Sequence, residues 1–315
     1  MKAWSEKTRM TYNTYLHKYR DFCNLHRVNI LHPPQSKLCD FLMSLKNGKK
    51  KCSYQSVNVA RCALSAYLPV LDNGQTVGKQ VWVSRFVKAT FREEPPEARY
   101  HEFWDVRDVL SMFRRWPDNK KLSREQLSFK LLLLMLLCSG ERGQAIHAIS
   151  VRKIQFQDDG TATCPLTKVL KTDGVGKRLR TLRLQPFPKE RKLCQVACLK
   201  RYLKVTKPIR QDEDELFLRL KKRKGSYSAI TQDTAKRWTL KTLNMAGIDT
   251  EKYKTHSTRG AMISAGDRLK LHVETLLNHG SWKSERTMAK HYRKPLEEKQ
   301  PVQNLGQCVL EDFVA

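Results

Sequence analysis

Acidic side chains are scarce in this chain: 31 Asp and Glu stand against 60 Lys and Arg among 315 residues, a formal net charge of +29. A surface so poor in carboxylates repels itself, and an anionic partner relieves that cost. The basic residues run through the whole length, which excludes a basic tail on a neutral body and points to a chain that wraps nucleic acid through phosphate contacts. Long apolar runs are missing too. The longest, Leu131 to Cys138, falls far short of the roughly 20 residues that span a bilayer. The opening Met1-Lys-Ala-Trp-Ser-Glu-Lys7 lacks a signal-peptide-like apolar stretch, so an intracellular, soluble protein that is not secreted and touches no membrane is expected. The nine cysteines form no metal set: Cys194 and Cys198 have three residues between them, but no second pair completes a zinc site. Reduced thiols are expected instead. No internal repeat is evident.

What is present suffices for a sizeable core, with 40% hydrophobic residues, and the length suggests about two domains. Ser5 can cap a helix running through Met10, Tyr15, Tyr19 and Phe22, whose apolar residues fall at helical spacing. His32-Pro33-Pro34 breaks it, and further helices are expected around Leu38 to Leu45, from Ser53 to Leu68, and around Trp82 to Ala89. The third presents Gln55 and Asn58 opposite its apolar side, and with Lys51 these are the candidates for DNA contact. Residues 1–92 thus read as a helical N-terminal domain. The charged, proline-bearing stretch that follows reads as a linker over 93–104.

A second domain is expected over 105–295, with a tail over 296–315. It opens with helices from Asp105 to Trp116 and from Ser123 to Cys138; the second has capping-box form at its start and Gly140 at its end. Val151 to Phe156, Ala162 to Val169 and Arg178 to Leu184 read as strands, separated by Asp158-Asp159-Gly160 and Thr172-Asp173-Gly174 turns. Helices follow over Glu190–Lys204, Ile230–Ala246, His256–Ala265, His272–Leu277 and Glu285–Tyr292. The fold class is mostly α with one small antiparallel β-sheet. Lys236 and Arg237 are candidates for phosphate contact. Lys221-Lys222-Arg223-Lys224 suits either nuclear import or a DNA-facing loop.

Chemistry enters through order. Arg142 follows a buried helix, Lys171 falls in a strand-turn segment, His256-Ser-Thr-Arg259 opens a helix, and Trp282 and Tyr292 come after it. Each alone has a plain structural reading. In this order they resemble the tyrosine recombinases, and the chain is most similar to the recombinase of DIRS-type retrotransposons. Supporting stretches are Asn58-Val-Ala-Arg-Cys-Ala-Leu-Ser-Ala-Tyr-Leu-Pro69, Arg85-Phe-Val-Lys88, Pro95-Pro96 with Arg99-Tyr100, Trp104-Asp105-Val106 and Thr255-His-Ser-Thr-Arg-Gly260.

The resemblance covers roughly Ser5 to Pro295 and implies a two-domain clamp on double-stranded DNA that assembles as a tetramer. It implies cutting and rejoining through a 3′-phosphotyrosyl intermediate, probed most directly at Tyr292 as nucleophile. Arg142 and Arg259 would clamp the scissile phosphate, Lys171 would protonate the leaving 5′ oxygen, and His256 and Trp282 would donate to the phosphate. No metal or other cofactor is implied. Lys168 is an alternative to Lys171, and His279 to Trp282. Many relatives carry a glutamate three residues after the first arginine, where this chain has Ala145, so part of the support for Arg142 must come from elsewhere. Two other readings remain at this point: a domesticated DNA-binding protein that keeps the fold without cleavage, and a type IB topoisomerase. A nuclear location follows if the source is eukaryotic, a cytoplasmic one otherwise.

Overall fold

The structure, a computed structural model, describes residues 4–48, 51–71, 73–170, 179–223, 225–280, 282 and 284–297. The chain divides into two compact units, Met1–Arg99 and Tyr100–Ala315.

The first unit is helical: α1 (Glu6–Leu25), α2 (Gln35–Asn47), α3 (Tyr54–Tyr67) and α4 (Val81–Glu93). Ser5 caps α1 and Ser53 caps α3, each hydroxyl accepting a backbone N–H that the first turn would otherwise leave unpaired. Their apolar stripes meet around Tyr19, Phe41, Leu42, Val57, Leu64 and Val83. Tyr19 and Phe41 pack edge to face at 5.2 Å.

The second unit holds α5 (Val106–Arg115), α6 (Arg124–Ser139), α7 (Gly143–His147), the sheet, α8 (Gln195–Thr206), α9 (Gln232–Met245), α10 (Ser257–Arg268), α11 (Val273–His279) and α12 (Glu285–Tyr292). The uninterrupted apolar run gives α6 buried residues all round, and α8, α9 and α10 pack against it. The expected capping box is formed by Ser123 and Gln126. Gly140 ends the helix at φ +59, a conformation that costs glycine nothing and turns the chain sharply into Glu141 and Arg142.

The three strands β1 (Gln155–Phe156), β2 (Ala162–Pro165) and β3 (Thr181–Leu184) form an antiparallel sheet in sequence order, with Pro165 opposite Thr181. All three are shorter than the sequence suggests. Val151–Lys153 winds into a 3-10 turn because Asp214 draws its amides: the Asp214 carbonyl accepts from Val151 N and its carboxylate from Arg152 N. Residues Glu190 to Leu193 are turns rather than helix, since the Cys194 thiol caps α8 by accepting from the Ala197 N–H. Cys23, Cys39, Cys62, Cys138, Cys164, Cys194 and Cys198 are free thiols. Tyr100 to Trp104, at the end of the expected linker, group with the second unit, where Phe103 and Trp104 are each 1% exposed. No described helix is long and apolar enough to cross a membrane.

Candidate active site

The start of α10 shows why Thr255-His-Ser-Thr-Arg-Gly260 is written as it is. The Ser257 hydroxyl accepts the buried Trp104 indole N–H at 2.9 Å, and Thr258 bonds back to the Thr255 carbonyl. At Gly260 a β-carbon would stand 2.0 Å from the Phe103 ring, so only glycine lets that ring lie on the helix. These contacts fix the rotation of α10, and Arg259 then points inward, 1% exposed.

Its guanidinium donates to two backbone carbonyls, Gly140 at 2.6 Å and Gly280 at 2.8 Å. Among the described residues no carboxylate pairs with it directly, and its Nε–H is buried without a partner. The Trp282 ring lies 4.0 Å from the guanidinium carbon and the Tyr292 ring 5.6 Å. Gly280 makes this possible twice over: it supplies a carbonyl, and a side chain there would collide with the Trp282 ring at 1.3 Å. The Trp282 indole N–H is also buried and unpartnered. Burial pushes the Arg259 pKa down to about 10 and the neighbouring Arg142 charge pushes the same way, opposed by Tyr292 and Glu141. The group remains cationic at neutral pH.

Tyr292 ends α12, half-buried. Its carbonyl accepts the Ser264 hydroxyl of α10 at 3.3 Å, and the next residue, Arg293, pairs with Asp267 at 2.6 Å. The chain then bonds to the beginning of the unit: Phe103 N–H donates to the Pro295 carbonyl and Glu297 N–H to that of Phe103. Lys252 bridges Glu102 and Glu297, at 2.6 and 2.9 Å. The nucleophile candidate is thus held by its own domain on both flanks.

Arg259, Trp282 and Tyr292 therefore gather at one place, and the turn that carries Arg142, 150 positions before Tyr292, meets them through the Gly140 carbonyl. His256 is exposed at the α10 N-cap, one turn before Arg259. Lys171 lies outside the described residues. The alternative, Lys168, is ion-paired with Glu215 at 2.5 Å, and that carboxylate also faces His147 Nδ1 at 3.4 Å. His279, the alternative to Trp282, ends α11, its ring beside Gly140.

The DNA-contact candidates sit at α3 of the first unit and on α9 of the second. Lys51 and Gln55 are exposed, whereas Asn58 accepts the Arg61 Nε–H at 2.9 Å and is occupied within its own unit. On α9, Trp238 and Leu243 are buried while Lys236 and Arg237 are exposed, engaged only locally with Asp233 and Thr234. One residue absent from the sequence expectations is Glu141, 3% exposed and bonded to Arg180 Nη1 at 2.6 Å. Nothing in their spacing could have paired them.

Neither a family model nor a curated protein sequence matches the chain. Solved structures do. A complex of the XerH site-specific recombinase with palindromic difH aligns with TM-score 0.58 and 15% identity over 89% of this chain and 74% of that one. The Tn1549 transposon integrase in complex with transposon right end DNA gives 0.57 and 12% over 99% and 95%. The chain has the tyrosine recombinase fold. A lambda integrase tetramer bound to a Holliday junction shares that fold, with TM-score 0.53 and 13% identity over 96% of this chain and 76% of that one.

Proposed function

We propose that this chain is a site-specific DNA recombinase that cuts and rejoins strands through a 3′-phosphotyrosyl intermediate, serving integration of a mobile element of the DIRS retrotransposon kind. One observation carries the reading: a fully buried arginine with an orphaned N–H, stacked on a tryptophan whose own N–H is orphaned, beside a tyrosine. Buried donors without acceptors are costly, and an arriving anion with several oxygens removes that cost. A phosphodiester is such an anion, and the +29 charge favours it as part of DNA.

The steps follow from the groups. The Tyr292 hydroxyl oxygen attacks phosphorus, the bond to the 5′ oxygen breaks, and the tyrosine's proton passes toward His256. Arg142 and Arg259 take up the charge that builds on the non-bridging oxygens, each through a planar fork of donors. Lys171 is the proposed acid that leaves the 5′ oxygen as a hydroxyl. The phosphotyrosyl ester keeps the energy of the broken bond, so a 5′ hydroxyl of either strand can displace the phenol. Lys51, Gln55, Asn58, Lys236 and Arg237 are the proposed DNA contacts, with Asn58 released from Arg61 on binding. A tetramer on two duplexes completes the proposal, with a nuclear location if the source is eukaryotic and a cytoplasmic one otherwise.

The test is covalent trapping. The protein is incubated with a pool of nicked duplexes randomised around the nick, and DNA surviving denaturation on the protein is sequenced. A recombinase gives an adduct with a preferred sequence, abolished in Tyr292→Phe. Tight duplex binding without any adduct would mean a DNA-binding clamp that does not cut.

A further inference from the structure

Glu141 is an unusual neighbour for two arginines that await a phosphate. A carboxylate beside the site weakens its pull on an anion, and taking a charge out of water costs several kcal/mol unless it is well paired. Yet Glu141 is 3% exposed. It is held in place from both sides. Its backbone N–H donates to the Ser139 hydroxyl at 3.2 Å, at the end of α6. Its Oε1 accepts Arg180 Nη1 at 2.6 Å. Arg180 directly precedes β3, where its carbonyl accepts the Leu166 N–H and continues the β2–β3 ladder by one bond.

The position of this carboxylate in the chain matters as much as its partner. Residue 140 supplies the carbonyl that anchors Arg259, and residue 142 is the other guanidinium. Glu141 stands between them, close enough that its charge opposes the loss of the Arg259 proton while Arg142 promotes it. The Arg142 charge repels the buried Arg259 guanidinium before DNA arrives. A fixed negative charge bonded to the sheet offsets that repulsion without occupying the donors that the phosphate needs.

We propose that Glu141, anchored by Arg180, is a positioning residue: it holds the Gly140–Arg142 turn against the loop end of the β2–β3 pair and keeps the two clamp guanidiniums together in the DNA-free protein. The proposal rests on the recombinase reading and deepens it. An ion pair of this kind adds little to fold stability compared with an uncharged pair of the same shape. Its removal as a pair therefore leaves the fold intact and loosens the clamp.

The experiment uses the full chain and a nicked duplex recovered by covalent trapping. Single-turnover adduct formation at saturating DNA is measured for the wild type, Glu141→Gln, Glu141→Asp and the double variant Glu141→Gln with Arg180→Gln. Melting temperature is measured for each, and duplex Kd for each in a Tyr292→Phe background. The expected result is a loss of about a hundredfold in adduct rate for Glu141→Gln and for the double variant, the scale set by small misplacements of reacting groups. Kd and melting temperature of the double variant stay near those of the parent, and Glu141→Asp restores most of the rate. A Glu141→Gln rate within about threefold of wild type, too small for such a misplacement, would overturn the assignment. So would rate and melting temperature falling together with no rescue by aspartate, which would make the residue merely structural. If the wild type itself forms no adduct while its variants bind duplex normally, the recombinase reading fails first and takes this one with it.

Discussion

Trp282 and Tyr292 meet edge to face, ring centroids 5.0 Å apart at 63°, with the Arg259 guanidinium against both rings. In the recombinase reading proposed above, the indole would have two separable roles, as a wall against the phenol and as an N–H donor for the phosphate. Trp282→Phe keeps the wall and removes the donor. It is expected to melt close to wild type and to form covalent adduct about a hundredfold more slowly. Trp282→Ala removes both and should cost on the order of 2 kcal/mol of stability, less than for a fully buried tryptophan. Denaturant titration and adduct kinetics on the pair separate the roles; full-rate cleavage by Trp282→Phe would remove the indole from phosphate binding.

Gly260 and Gly143 offer a matched contrast. A methyl at residue 260 runs into the Phe103 ring, whereas one at residue 143 meets nothing within 4 Å. Gly260→Ala should destabilise by about 1–3 kcal/mol through overpacking, and Gly143→Ala should stay within about 0.5 kcal/mol of wild type. Thermal melting decides, and equal melting temperatures would show that Phe103 can move aside.

Asp105 links α5 to α10. It caps the Arg107 N–H, and its Oδ2 accepts Arg107 Nε at 2.7 Å and Arg268 Nη1 at 2.8 Å. Burial alone would raise its pKa, but these bonds and the Arg268 charge outweigh it and bring the group down to about 2. A carboxyl depressed in the folded state adds stability that is fully present above its unfolded value of 3.8, and that is lost as pH falls from there toward 2. The loss is on the order of 2 kcal/mol. Asp105→Asn should be less stable at neutral pH and lack this component of the acid limb. Urea midpoints measured between pH 6 and pH 2 check it; parallel curves for the two proteins would refute the assignment.

The Tyr292 carbonyl accepts from Ser264 of α10, and Pro295 and Glu297 just after it are bonded to Phe103, all within its own domain. Delivery of the phenol to the same protomer's arginines is therefore expected. Mixing Tyr292→Phe with Arg259→Ala should yield no covalent adduct. Recovery of adduct in the mixture, above either variant alone, would show that a neighbouring protomer lends its tyrosine.

Much of this was legible in the chain because the signals are local. Ser5, Ser53 and Ser123 announce helix starts through a hydroxyl and the amides three residues on, whereas His256, Arg259, Trp282 and Tyr292 stand out only through the order they share with the tyrosine recombinases. The first strand is drawn too long because Val151 and Ile154 are β-branched, but the Val151 and Arg152 amides are claimed by Asp214, some sixty residues later. The start of α8 was misplaced because a thiol served as the cap. Glu141 was invisible for the same reason as Asp214. Its meaning lies in Arg180, 39 positions away, and no periodicity carries information over that separation.

The pairing of Phe103 with Leu296 has a mechanical corollary. With Lys252 gripping Glu102 and Glu297, the second unit's entry and exit are stitched together, so a pull exerted from beyond Glu297 loads that seam first. The short helix bearing Tyr292 is thereby shielded from the tug.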